Sequence, residues 1–337
     1  MKNTTTIEIS LKSVLLIILT LLLLLIAWKI RGVLIGLFIA FILMSGFAPL
    51  VDWLTRKGVN KTLSVIITYF LAISSFATLL FLVIPPLVRE IQELINNLPL
   101  YINWFSSTFG YSPTLPAFSN DNITSIFTSR LESALSSLLK VALNAFGVFV
   151  TFITVAVFSF YLLLEREKIK RNIHIVFPNL PKERVNSLAN KIEIKLGAWV
   201  RGELMLMLII GVATYIGLSL LRVEFALPLA IIAGLLEIVP IVGPTVSAIP
   251  AALVAFVQSP VLAVGVIALY ILIQQLENNI IVPKLMEKAV GLSPIVIIFA
   301  LLVGGALFGI IGALVAVPAA AILHVIFEDF YETSKET

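Results

Sequence analysis

The stretch from Leu235 to Ala251 sets one carboxylate, Glu237, among residues apolar enough to sit in lipid, and punctuates them with Pro240, Gly243, Pro244 and Pro250. Proline removes a backbone donor and clashes with the carbonyl four residues earlier, so a continuous helix through all three prolines is not expected. Broken backbone at membrane depth is tolerated only where protein buries it or water reaches it. An unpaired Glu there costs about 2.5 kcal/mol or more. Together they point to a proton or cation carrier, or to a hydrogen-bonding group for a polar solute. The plainer alternative is a carboxylate that reaches the interface or bonds the freed amides. A second polar group, Gln274, Gln275, Glu277, Asn278 and Asn279 ahead of Pro283, either joins such a pathway or ends a helix at the water boundary. Trp199, Arg201 and Glu203 read as interfacial residues at the head of a span.

Other chemistries find no support in the residues. No phosphate-binding Gly-rich loop with a following Lys-Ser/Thr is present, nor a nucleophile elbow or metalloprotease helix, so no enzyme is expected. The chain has no Cys, which excludes disulfides and thiolate metal sites. His174 and His324 stand alone, without partners at metal-ligand spacing. The net charge of +4 is modest and gives no sign of nucleic acid.

The elements that must position these residues are membrane helices. Of 337 residues, 60% are hydrophobic and 12% charged, with a mean hydropathy of +1.09. Soluble domains run at about 45–50% and about 25%. The chain therefore reads as an all-α, polytopic protein of the bilayer. Residues 1–86 form three spans: Leu11 to Trp28, anchored by Trp28-Lys29-Ile30-Arg31, then about Val33 to Val51, then about Leu63 to Ile84, ending at Pro85-Pro86. Residues 87–140 are a long polar excursion. Val88, Ile91, Ile95 and Leu98 mark one amphipathic helix and Ile123, Phe127, Leu131, Leu135 and Leu138 a second, a hairpin that packs on itself or a neighbouring subunit, or lids the path. A fourth span covers residues 141–164. Residues 165–203 form a basic region whose helix, with Val185, Leu188, Ile192 and Leu196 on one side, reads as lying in the headgroup interface. Residues 204–327 are the candidate transport core, followed by a polar tail, 328–337.

That core looks duplicated. Pro228 leads through Gly243 to Ala248-Ile249-Pro250-Ala251-Ala252, and Pro294 leads through Gly304, Gly305, Gly309 and Gly312 to Ala316-Val317-Pro318-Ala319-Ala320. One span, about Val261 to Leu276, separates the two hairpins, so they would enter from opposite sides, and the short arms of the first suit a re-entrant segment. Gly/Pro-broken segments at matching positions of inverted repeats point to a transporter's binding site. Placing the N-terminus in the cytoplasm puts fourteen Lys/Arg inside, nine of them between Arg166 and Arg201, against five outside. The positive-inside rule thus favours a cytoplasmic N-terminus and an external 87–140 segment in the cell membrane.

Four blocks carry a resemblance: Glu237 to Ala251, Glu277 to Met286, Gly291-Leu292-Ser293-Pro294, and Leu307 to Ala319. They resemble the hallmark blocks of the autoinducer-2 exporter family, which includes the PerM-type permeases. The likeness extends to Pro85-Pro86 before a helix ending Asn97-Leu98-Pro99, and to the Gly202 region. It implies a transporter of about eight membrane segments, homo-oligomeric, with no cofactor beyond a coupling sodium ion or proton. Export of a small organic signal, such as the quorum-sensing furanone, is the favoured activity, on the resemblance alone. Sodium/proton exchange is the alternative, and a non-transporting membrane scaffold ranks third.

Overall fold

A computed structural model of the chain describes residues 11–108, 133, 136, 140, 144–178, 180–240, 242–289 and 291–336. All regular structure among them is helical. In chain order the helices are α1 (Leu11–Lys29), α2 (Arg31–Arg56), α3 (Lys61–Thr108), α4 (Ala145–Leu164), α5 (Arg166–Asn172), α6 (Lys182–Leu220), α7 (Ala226–Leu236), α8 (Val242–Gln258), α9 (Pro260–Leu276), α10 (Val282–Ala289) and α11 (Pro294–Glu336). Six stretches are long and apolar enough to cross a bilayer: Arg31–Arg56, Lys61–Pro86, Phe146–Leu164, Lys182–Leu220, Pro260–Leu285 and Ile295–Tyr331. Val14–Lys29, α7 and α8 are shorter apolar helices. The second amphipathic helix expected around Ile123 to Leu138 lies outside the described residues.

Two expected boundaries are absent. The helix of the third span does not stop at Pro85-Pro86 but runs on to Thr108, so the amphipathic stretch from Val88 belongs to the same helix. Likewise, the basic helix expected in the headgroup plane is continuous with the fifth span. Together they make α6, 39 residues and about 58 Å long at 1.5 Å per residue. No proline falls between Lys182 and Leu220 to break it. Gly197 serves close packing there, since a Cβ would lie 2.5 Å from the Ser45 carbonyl of α2.

α6 is the ruler against which both hairpins are placed. Near its C-terminal end, Leu218 and Val223 pack with Leu229 and Ala233 of α7, Val254 and Ala255 of α8, and Val266 and Tyr270 of α9. The first hairpin therefore enters from that end. Near the other end, Leu196, Trp199 and Val200 pack with Ile42 of α2 and with Leu292, Ile297, Leu301, Val317 and Ala321 around α11. The second hairpin enters there, so the two are inverted, as the single intervening span requires. Its turn is Gly309, at φ 63° and ψ −145°, a region open only to glycine. The arms then lie back to back: a Cβ on Gly304 would sit 2.5 Å from the Gly312 carbonyl and 2.9 Å from Ala316 Cβ.

Ion pairs fasten several elements at one end. Arg166, just beyond α4, donates to both Asp52 oxygens at 3.1 Å and meets Glu193 of α6 at 2.5 Å. Lys170 reaches the other Glu193 oxygen at 2.8 Å, and Arg184 of α6 reaches Asp329 of α11 at 2.9 Å. Burial would lower the Arg166 pKa, but the hydrogen bonds and charges of Glu193 and Asp52 outweigh it and raise it above the ordinary arginine value. The end of α2, the 165–200 region and the end of α11 thus share one side, as the distribution of basic residues requires.

Candidate functional site

The first hairpin turns midway along α6. α7 has 11 residues and α8 has 17, about 16 and 26 Å against a hydrocarbon core of about 30 Å. Of its three prolines only Pro240 lies in the break. Pro244 sits in the first turn of α8, where an amide would have no helical partner. Pro250 lies inside α8, buried. No continuous helix runs through all three prolines, as expected, but the interruption is single and lies at Pro240. Gly243 closes that turn: its amide donates to the Val239 carbonyl at 2.8 Å, and a Cβ would strike the Leu236 carbonyl.

The break delivers Glu237, the C-cap of α7, into the protein interior. Two further carboxylates meet it there. Glu203 comes from α6 and Glu277 from the residue after α9. Their exposures are 3% for Glu203, 0% for Glu237 and 2% for Glu277. Glu237 lies against Glu277 and within electrostatic reach of Glu203, and Glu203 is likewise within reach of Glu277. Both Glu237 oxygens and one oxygen each of Glu203 and Glu277 are buried without a hydrogen-bond donor. None of the three enters a salt bridge among the described residues. Nor, among those residues, does any group of three acidic, His or Cys side chains sit at metal-ligand spacing. The arrangement is a close Glu237–Glu277 pair with a third negative group behind it. A proton between Glu237 and Glu277 would turn their approach into a hydrogen bond.

Glu277 is placed by a widened turn. Residues Glu277–Ile281 form a π-helical segment linking α9 to α10, so the helix does not end at the polar hexapeptide. Pro283 supplies the reason, because its ring would clash with the Asn279 carbonyl of a regular α-helix. Such segments recur at functional sites. The rest of the hexapeptide is not in the site. Gln275, Asn278 and Asn279 are exposed and Gln274 half-buried, and the Asn279 amide donates to the Gln275 carbonyl at 2.8 Å. Pro283 also faces outward.

Glu203 is the residue the sequence reading misplaced. It is not interfacial but lies on the stripe Glu203, Leu206, Ile210, Thr214 and Gly217, all buried. That spacing of three and four was the available signal. Trp199 of the same expected interfacial group is buried too, and only Arg201 is exposed. Two buried hydroxyls were also missed: Thr214 Oγ1 and the Tyr270 hydroxyl, the latter beside Ser247. The hinge residues fall outside the carboxylate cluster. Pro228 lies in the first turn of α7, Gly291 has φ 65°, and Pro294 begins α11. Gly305 is half-buried with open space beside it, and Pro318 is buried in the second arm.

Comparison with known proteins adds a shared lineage. A family model described as "AI-2E family transporter" matches residues 16–332. "Putative transport protein YueF" of Bacillus subtilis (strain 168) is 30% identical over 304 residues, covering 86% of this chain and 82% of the relative. "Putative transport protein YrrI" of the same organism is 27% identical over 313 residues, covering 90% and 86%. A "Sodium-lithium/proton antiporter" of Halobacillus andaensis is 23% identical over 294 residues, covering 82% and 84%.

Proposed function

The chain belongs to the AI-2E transporter family, and from that premise we propose that it exchanges a small alkali cation for protons across the cell membrane. The observation that carries the reading is the cluster of Glu203, Glu237 and Glu277, buried without a counter-charge among the described residues where the first hairpin breaks. Each buried, unpaired carboxylate costs several kcal/mol, on the order of 3–5. Like charges within reach of one another add to that cost. The cluster is neutralised by protons, by a cation, or by both in turn. Because the two compete for the same oxygens, a cation entering displaces a proton, which is the elementary step of exchange. Glu237 and Glu277 form the binding pair and Glu203 supplies the third negative charge, an all-oxygen set of the kind hard cations prefer. The Halobacillus relative named as an antiporter supports the same direction.

A second reading, efflux of a small organic signal, rests on the family description. Of the amides expected to bind such a solute, Gln274 is half-buried and Gln275 and Asn278 are exposed, outside the buried carboxylate cluster, which favours the cation. In either case the protein would work as a homo-oligomer, with the Asp52–Arg166–Glu193 end in the cytoplasm.

The test is purified protein in sealed liposomes with an internal pH dye. A sodium or lithium gradient should drive proton flux, with weaker apparent sodium affinity as pH falls. Glu237→Gln and Glu277→Gln should abolish flux while the protein stays folded in detergent. Normal exchange by both variants would overturn the site. Furanone efflux without cation-driven proton flux would replace exchange with export.

A further inference from the structure

A second charged site lies outside the carboxylate cluster, where α4 leaves the membrane. A cavity of about 390 Å³ opens between α5 and the start of α6, lined by Glu167, Lys170, Arg171, Lys182, Asn186 and Asn190. Three cations face one carboxylate. Lys170 is already held, donating to Asn190 Oδ1 at 2.7 Å and paired with Glu193. Arg171 and Lys182 are exposed and enter no salt bridge among the described residues. Asn186 Oδ1 is buried without a partner, and an amide in that position can turn to present its NH2 end instead. The donor set therefore suits an anion, with Asn186 oriented only once one is bound.

The surroundings say which anion. Arg171 stands seven residues beyond Leu164, the last residue of span α4. The next turn, Ile173–Val176, holds Ile175 and Val176 at 68% and 70% exposure, with exposed Phe177 after it. Free phosphate would need the cations alone. A ligand with a phosphate and acyl chains explains both the cations and the bare apolar turn beside them. We propose that this pocket binds the headgroup phosphate of an anionic phospholipid, with the Ile175–Phe177 turn against its chains. Basic juxtamembrane pockets on the cytoplasmic side have this chemistry, each Lys or Arg contributing about fivefold in affinity.

The experiment uses the full chain purified in a neutral detergent. Phosphatidylglycerol, phosphatidylcholine and inorganic phosphate are added separately, with bound lipid counted by native mass spectrometry and the thermal midpoint followed in parallel. The expected result is retention of phosphatidylglycerol over phosphatidylcholine by about tenfold or more, and a raised midpoint with phosphatidylglycerol only. Arg171→Gln/Lys182→Gln should reduce phosphatidylglycerol retention by about twentyfold and leave the lipid-free midpoint unchanged, since both side chains are exposed. Equal retention of the two lipids overturns the proposal, as does wild-type phosphatidylglycerol retention by the double variant. Inorganic phosphate that raises the midpoint as far as phosphatidylglycerol does would make the site a free-anion site and refute the lipid assignment. A double variant with a lowered lipid-free midpoint is replaced by Arg171→Lys/Lys182→Arg. That pair must restore retention, or the charges are not the cause.

Discussion

Gly234→Ala adds one methyl group where α6 and α7 cross, and its effect can be followed into the carboxylate cluster. The new Cβ would lie 2.7 Å from the Met207 carbonyl and 3.2 Å from the Gly211 Cα. Ordinary contact begins at 3.4 Å, so α7 must retreat by about 0.7 Å. Glu237 follows one turn later and moves with it. Alanine recovers about 1 kcal/mol of helix propensity, against about 1–3 kcal/mol for overpacking, so the net loss of stability is about 0–2 kcal/mol. Transport should suffer more, because displacing a positioned group by about 1 Å costs up to about a hundredfold in comparable sites. A fall in sodium-driven proton flux of about tenfold or more is expected. Gly211→Ala is the control from the facing helix. Its nearest neighbours would lie at 3.5 and 3.7 Å, so it should keep wild-type flux and gain up to about 1 kcal/mol. Flux in liposomes and thermal midpoints in detergent read both effects. Equal flux from the two variants would refute the claim that the glycine crossing sets the position of Glu237.

Two further substitutions probe the frame. Arg166→Met leaves buried Glu193 with Lys170 alone and should cost about 2–4 kcal/mol, whereas Arg166→Met/Glu193→Met should recover most of it; a double variant no more stable than the single one would show that the unpaired charge was not the cause. Gly309→Ala forces a side chain into backbone at φ 63°, ψ −145° and should destabilise by about 1–3 kcal/mol. Gly305→Ala, with nothing within 4 Å, should be neutral or stabilising in the same thermal assay.

Much of this architecture was legible because proline and glycine act locally. Gly309 turns the second hairpin and Gly243 closes the first, each where the sequence had punctuated an apolar run. The inverted arrangement followed from counting one span between the hairpins. What was not legible depended on the partner of each helix face. Hydropathy averages around a helix, so it could not show that Glu203 turns inward while Arg201, two residues away, turns outward. Nor could it show that Asn278 and Asn279 face away from Glu277. Nor did the prolines differ in kind along the sequence: Pro250 sits buried inside α8 without ending it, because one absent helical hydrogen bond does not end a packed helix. The amphipathic and apolar halves of α6 were separated because their compositions differ, although no residue between them obliges the backbone to bend.

The widened turn at Glu277–Ile281 has a consequence for angular phase. Ile273, Ile281 and Leu285 all pack on Leu206 and Ile210 of α6, at intervals of four or eight residues with Glu277 between them. In an unbroken α-helix, each step of four overshoots a full turn by about 40°. Three such steps would swing Leu285 about 120° away from α6. A turn closed by i→i+5 bonds holds more residues, so one step of four inside it falls short and cancels part of that drift. The seam from Ile273 to Leu285 stays aimed at α6, with the Glu277 carboxylate at its centre. Deleting any one of Asn278, Asn279 or Ile280 would leave eleven regular helical steps between Ile273 and Leu285, only about 20° past three full turns, so Leu285 would keep its partners on α6 and the seam would survive the loss of the widened turn.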